Sequence, residues 1–378
     1  MFYNADDPAL DDFKAEVGQT LDKADVPLAN IVEKNIPIYD IPSLELAGQA
    51  DRLRREWCWV LGNGPGVLVL KHAYADTAPL DAASAIFHQI IEDEKSGSKG
   101  GGDHFAAAGA NDRIWNSLQK LCLIDPAVHA QIFCNVALAL VCEAWLGPYY
   151  QMTAQVNLVR PGGEAQTAHR DYHLGFQTED VALRFPTHVH TLSPFLTLQG
   201  AIAHCDMPIE SGPTKLLPYS QNYGPGYLGY RRESFSAFFE DNYVQLPLEK
   251  GDMLFFNPAL FHGAGENVSD GIQRLGNLVQ VSSAMGRAME TLDRLAMCKA
   301  LYPVLRDGGL GLNDTEQRAA IAATAEGYSF PTSLDNDPPL DGLAPKTQAD
   351  IMLEALERGD LPADLNATLD ALDLRRKA

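Results

Sequence analysis

The sequence predicts a mainly β core with α-helical decoration: a sandwich or jelly roll of about eight short strands, with helices on either side. Two patterns carry that expectation. From Tyr149 to about Ser283, short β-type runs alternate with Gly/Pro turns, whereas in both flanks apolar residues recur at three- and four-residue steps. Size agrees with it. A chain of 378 residues that is 46% hydrophobic and 21% charged can bury one large core.

Residues 1–148 read as a mainly helical part packed on that core. Leu44 to Val60 and Pro79 to Glu94 have helical periodicity, and Gly66 to Leu70 is a strand-like run behind a turn. Between these and the core, residues 95–103 are too rich in Gly and Ser to pack, so they form a connector or an active-site lid. Residues 149–286 form the core, with strands expected at Ala154 to Val159, Phe195 to Ala203, Thr214 to Leu217, Met253 to Phe256 and Leu278 to Val281. Residues 287–378 return to helix at Ala288 to Leu305, Asp314 to Ala325 and Thr347 to Arg358, with Asp314 and Thr347 as N-caps and a Pro/Asp-rich connector at Pro331 to Pro345. The three stretches are expected to form one structural unit.

Composition excludes several partner classes. A net charge of -21, from 29 basic and 50 acidic residues, repels nucleic acid and anionic membrane surfaces and points to a small-molecule partner. The longest apolar runs, Val67 to Leu70 and Val136 to Val141, fall far short of the ~20 residues of a membrane span. The start, Met-Phe-Tyr-Asn-Ala-Asp-Asp, lacks the basic and apolar segments of a secretory signal, so a cytoplasmic location is expected. Six cysteines without CxxC spacing fit buried thiols. No sequence signal bears on oligomeric state.

Chemistry concentrates in Thr167-Ala-His169-Arg-Asp171-Tyr-His173 and in a distant segment ending Phe261-His262-Gly. In an extended chain residues i and i+2 point to one side, so His169 and Asp171 can present an imidazole and a carboxylate to one point. His262 from a later strand completes a two-histidine, one-carboxylate set, the arrangement that leaves iron positions open for a cosubstrate and O2. Twelve residues beyond His262 stands Arg274. A dicarboxylate cosubstrate chelating iron at its 2-oxo acid end needs its far carboxylate held by a fixed, permanently charged fork, which arginine supplies better than lysine.

These pieces, together with Glu210-Ser-Gly-Pro-Thr-Lys-Leu-Leu-Pro218, Gly251-Asp252 and His262-Gly-Ala-Gly-Glu-Asn267-Val-Ser269, occur in the order of a known family. The stretch from about 150 to 285 resembles the phytanoyl-CoA dioxygenase-like branch of the iron(II)/2-oxoglutarate oxygenases. The resemblance implies a double-stranded β-helix (jelly roll, cupin-like), iron(II) held by His169, Asp171 and His262, and 2-oxoglutarate anchored by Arg274. It implies O2 as oxidant and a hydroxylase-type dioxygenase reaction on a small-molecule metabolite, releasing succinate and CO2. It also implies a polar strand beside the cosubstrate, for which Gln155 and Asn157 are the candidates, with Gln199 as a further one. The chain departs from the family pattern at Pro218-Tyr-Ser-Gln221 and at Ala264.

Other residues compete for attention. His188 and His190 share strand parity, and with His204 they make an alternative cupin-type metal set, though no glutamate follows at the spacing that set needs. A non-catalytic jelly-roll binding protein is the other alternative. His173 is expected beside the metal site or facing substrate. Asp103-His-Phe105, Asn111-Asp-Arg113-Ile-Trp115 and Tyr219 to Arg232 are possible substrate contacts, with Arg231 and Arg232 as cations for an anionic group.

Overall fold

The computed structural model describes residues 1–96, 111–340 and 342–377. Most of the Gly-rich stretch read as a connector or lid, and Asp103-His-Phe105 with it, lies outside the described residues.

Ten strands form among the described residues: β1 (Ile31–Glu33), β2 (Ile36–Asp40), β3 (Val67–Lys71), β4 (Asn111–Ile114), β5 (Gln151–Val159), β6 (Thr197–Ala203), β7 (Lys215–Leu217), β8 (Met253–Phe256), β9 (Phe261–Gly263) and β10 (Arg274–Ser282). Eight make one mixed sheet in the order β1-β2-β3-β8-β6-β10-β5-β4, in which only β2 and β3 run parallel. The other two, β7 and β9, pair antiparallel as a smaller sheet. Single bridges extend that sheet on both sides, His169 pairing with His262 and Leu216 with Val244.

Side-chain parity explains why the large sheet holds together. Met152, Ala154, Val156 and Leu158 of β5, Leu198 and Ile202 of β6, Met253 and Phe255 of β8 and Val279 and Val281 of β10 face helices carrying Trp57, Leu61, Phe87, Leu138 and Val141, all in one buried cluster. Each of these large side chains contributes about 1.5–3 kcal/mol on leaving water. The opposite parity faces the small sheet. There Val67, Val69, Ala203, Leu254 and Phe256 pack on Leu216, Leu246, Leu248 and Leu260, filling one end of the space between the sheets. The rest of that space remains open as a cavity.

Several expectations change. Residues 1–148 supply β1 to β4, half the strands of the large sheet, because Ile36, Val67 and Val69 need partners that lie far along the chain. Beside the anticipated helices, found at Leu46–Gly62 and Ala78–Ser96, two further apolar helices, Pro126–Phe133 and Val136–Leu146, lie in the core. The first helix after the core begins at Arg294, capped by Asp293, and not at Ala288. Asn313, not Asp314, caps the helix Asp314–Thr324, in a capping box with Glu316, whereas Thr347 caps Gln348–Arg358 as expected. A last helix spans Pro362–Arg376. No single helix among the described residues is long and apolar enough to cross a membrane.

Candidate active site

The cavity between the sheets measures about 690 Å³. His169, Asp171 and His262 lie on its wall with one ligand atom from each within 4.8 Å of the others. Local backbone pairing brings them there. His169 N–H donates to the His262 carbonyl at 2.9 Å, His262 N–H donates back at 3.2 Å, and Asp171 N–H reaches the Pro258 carbonyl at 2.9 Å. His169 Nε2 stands 3.8 Å from Asp171 Oδ1, and His262 Nε2 3.5 Å from Oδ2.

Proton positions follow from the partners. His169 Nδ1 contacts the Thr167 carbonyl at 2.9 Å and His262 Nδ1 the Leu260 carbonyl at 2.8 Å; a carbonyl only accepts, so each Nδ1 carries the hydrogen. Both Nε2 lone pairs then face the carboxylate. Burial and the neighbouring His262 push the His169 pKa down, which favours the neutral ring. Burial works against ionisation of Asp171, but the facing His262 and His169 rings and the Gln199 amide together hold its carboxyl below the usual range. Three electron-pair donors facing one point repel one another unless a cation lies between them. Two imidazoles and a carboxylate on one side suit a divalent transition metal such as iron. The residues fit the metal.

Arg274 lines the same cavity, where it is 7% exposed. Its Nη1 donates to the carbonyls of Ser211 (2.8 Å) and Gly265 (3.4 Å), and no carboxylate of the described residues lies in ion-pair range. Burial lowers its pKa to about 10, so it stays charged at neutral pH. Gly212 makes this geometry possible. It has a left-handed φ of +73°, and a Cβ there would lie 2.3 Å from the Glu266 carbonyl, so only glycine lets Ser211 close on the guanidinium. A buried, fixed, unpaired fork is what a carboxylate cosubstrate requires.

Gln155 and Asn157 also line the cavity. Gln155 accepts from Arg113 Nη1 at 3.1 Å and donates to Met289 Sδ at 3.4 Å, whereas the Asn157 carboxamide oxygen is buried without a partner. Gln199 donates its amide to Asp171 Oδ2. Asn111, Arg113 and Trp115, whose segment the sequence marked as a possible substrate contact, reach the cavity, with the Arg113 guanidinium 5.3 Å from the Trp115 ring centroid.

The competing sites dissolve. His188 and His190 sit in a helix, Thr187–Leu192, not a strand, and His190 Nε2 donates to the Ala182 carbonyl at 3.0 Å. His204 is buried against Ser84 and Phe87, its pKa lowered by burial to about 4. His169, Asp171 and His262 are the one cluster of metal-ligating character among the described residues. His173 contacts Ser193 Oγ at 3.2 Å and lines a separate cavity of about 180 Å³. Arg231 and Arg232 bind backbone carbonyls at Gln177 and Ala5 and do not line the main cavity. Sequence reasoning missed Gln166, Gln280 and Met289 on the cavity wall, which no motif marks.

Fold and site together define a metal-binding protein of two facing β-sheets, with a buried cation in the same cavity as the metal ligands. The family described as phytanoyl-CoA dioxygenase (PhyH) matches residues 63–275, more than half of the chain, and the chain belongs to that family. It is similar to "Dioxygenase trt7" of Aspergillus terreus, 27% identical over 128 residues covering 34% of this chain and 39% of that protein. "Iron/alpha-ketoglutarate-dependent dioxygenase ausU" of Aspergillus calidoustus is 28% identical over 138 residues, 35% of this chain and 40% of that protein. These matches span about two fifths of the relatives' own length. Among solved structures, the non-haem α-ketoglutarate-dependent carbocyclase SnoK of nogalamycin biosynthesis aligns with TM-score 0.46 at 18% identity, over 62% of this chain and 86% of that one. HygX of Streptomyces hygroscopicus, solved with nickel and 2-oxoglutarate, aligns with TM-score 0.44 at 13% identity, over 63% of this chain and 90% of that one.

Proposed function

We propose that this protein is an iron(II)- and 2-oxoglutarate-dependent dioxygenase that hydroxylates a small-molecule metabolite. The observation that carries this reading is the pairing, in one cavity, of the His169/Asp171/His262 cluster with the buried, carboxylate-free Arg274. The names of the relatives, all dioxygenases, support it. The two sheets read as a double-stranded β-helix, and residues 1–148, 149–286 and 287–378 as parts of one structural unit.

His169 Nε2, Asp171 and His262 Nε2 would hold the iron, which supplies O2 activation coupled to the oxidative decarboxylation of 2-oxoglutarate. One oxygen atom of O2 ends in succinate and the other in the alcohol, with CO2 released. The residues of the chain place the reactants. Thr167 and Leu260 fix the imidazole tautomers through their carbonyls, and Gln199 holds the carboxylate from behind. Arg274 would grip the distal carboxylate of 2-oxoglutarate, with Asn157 beside it and Gln155 held by Arg113. The apolar packing around Phe256, 4.6 Å from the His262 ring, keeps bulk water from that side.

The test is succinate release by protein loaded anaerobically with Fe(II), screened across metabolite pools with 2-oxoglutarate and O2. Binding of 2-oxoglutarate without succinate release from any pool favours a non-catalytic binding protein. Absence of 2-oxoglutarate binding overturns the reading.

A further inference from the structure

Two buried carboxamides of the cavity keep hydrogen-bonding capacity that neither the metal ligands nor Arg274 use. Gln199 on β6 and Gln280 on β10 are register partners, so their side chains stand side by side on the inner face of the large sheet. They are 4% and 7% exposed, and the carboxamide oxygen of each is buried with no hydrogen-bond partner. Which end of Gln199 faces which way is not ambiguous. Its neighbour Asp171 is a carboxylate and accepts only, so the Gln199 amide nitrogen faces Asp171 and the oxygen is turned away from it, without a donor. Gln280 makes no side-chain hydrogen bond at all among the described residues.

Their place in the cavity separates them from the cosubstrate anchor. Gln280 lies six positions beyond Arg274 on β10, and at ~3.4 Å per residue this is about 20 Å along the strand. Between them Gly276 and Leu278 face the cavity, and Met289 closes over Gln155. Arg274 thus marks one end of the cavity, and the Gln199/Gln280 carboxamides lie toward the other, next to Asp171.

We propose that Gln199 and Gln280 form the substrate subsite of this cavity and select a hydroxylated small molecule by hydrogen bonds to one of its hydroxyl groups. This rests on the oxygenase reading above. A buried carbonyl oxygen left without a donor is costly, so a ligand that brings a donor gains what a hydrocarbon or an ether does not. A hydroxyl suits the pair because it donates to Gln199 Oε1 and can also accept from the Gln280 amide. A carboxylate or phosphate would meet the Gln199 oxygen with like polarity.

The test uses matched probes. The full chain, loaded with Zn(II) and saturated with 2-oxoglutarate, is titrated by ligand-observed NMR with cyclohexane-1,4-diol and with 1,4-dimethoxycyclohexane at millimolar concentration. The diol is expected to bind about ten-fold more tightly, a difference worth about one buried hydrogen bond. Gln280→Leu is expected to erase that preference while leaving metal content and 2-oxoglutarate affinity at wild-type values. Equal binding of diol and ether, no diol binding, or a preference that survives in Gln280→Leu overturns the inference. If Gln280→Leu fails to fold, the wild-type comparison of the two probes decides alone. Failure of 2-oxoglutarate to bind the wild-type protein instead overturns the oxygenase reading, so the two failures are distinguishable.

Discussion

Replacing Arg274 with alanine should weaken 2-oxoglutarate binding without disturbing the metal. The guanidinium is buried and its Nη1 is committed to Ser211 and Gly265, so Nε and Nη2 remain for a carboxylate fork. A charge-assisted hydrogen bond contributes about 1.5–3 kcal/mol, and truncating one partner of a buried pair costs about 2–5 kcal/mol. A central value of about 3 kcal/mol corresponds to about 150-fold in Kd. The assay is calorimetric titration of the anaerobic Fe(II) protein with 2-oxoglutarate and, in parallel, with 2-oxobutyrate, which lacks the distal carboxylate. Arg274→Ala should lose affinity for the first and keep it for the second, and Arg274→Lys should recover part of the loss because it retains the charge without the planar fork. The variant also leaves two carbonyls without a donor, so its folded state is checked by thermal unfolding. Unchanged 2-oxoglutarate affinity, or an equal loss for both ligands, would refute the assignment of Arg274.

His169→Ala, Asp171→Ala and His262→Ala should each fold and each lose Fe(II), as measured by metal content after desalting; full retention in any one would remove that residue from the ligand set. Burial raises the Glu290 carboxyl to about 7, so the folded chain holds an extra proton between the unfolded value and 7. Stability from this group therefore falls as pH rises from about 4.5 to about 7 and is level above that. Glu290→Gln should gain on the wild type over that interval, read from urea unfolding at pH 5 and pH 8, and a pH-independent difference would contradict the raised value. Arg294 is buried, donates to the Met152 and Thr324 carbonyls at 2.7 and 3.0 Å, and pairs with Glu326 at 3.0 Å. Arg294→Met should cost about 2–4 kcal/mol in urea unfolding by leaving these acceptors unpaired, and a loss below 1 kcal/mol, roughly that of an exposed ion pair, would show that the tie between the C-terminal helices and β5 is weak.

Much of the site was legible because it depends on local geometry. The i, i+2 spacing of His169 and Asp171 puts both on one side of an extended segment wherever that segment lies, and Arg274 was marked by its place twelve residues beyond His262. Capping chemistry is equally local: Thr347 was readable as an N-cap, and the capping box at Asn313 and Glu316 is written in four consecutive residues even though Asp314 drew the attention. Charge and apolar run lengths likewise belong to composition. What only the tertiary structure decided is what depends on register between strands remote in sequence. β1 to β4 exist because β3 finds β8 and β4 finds β5 as neighbours, with β2 and β1 added beyond β3, and His188 and His190 leave strand parity because their segment coils into a helix. Gln280 reaches the cavity, next to Gln199 and away from Arg274, because the pairing of β10 with β6 and β5 sets which residues of each strand share a face. A one-residue slip in that pairing would turn Gln280 to the opposite face, and no local pattern in the chain records which register wins.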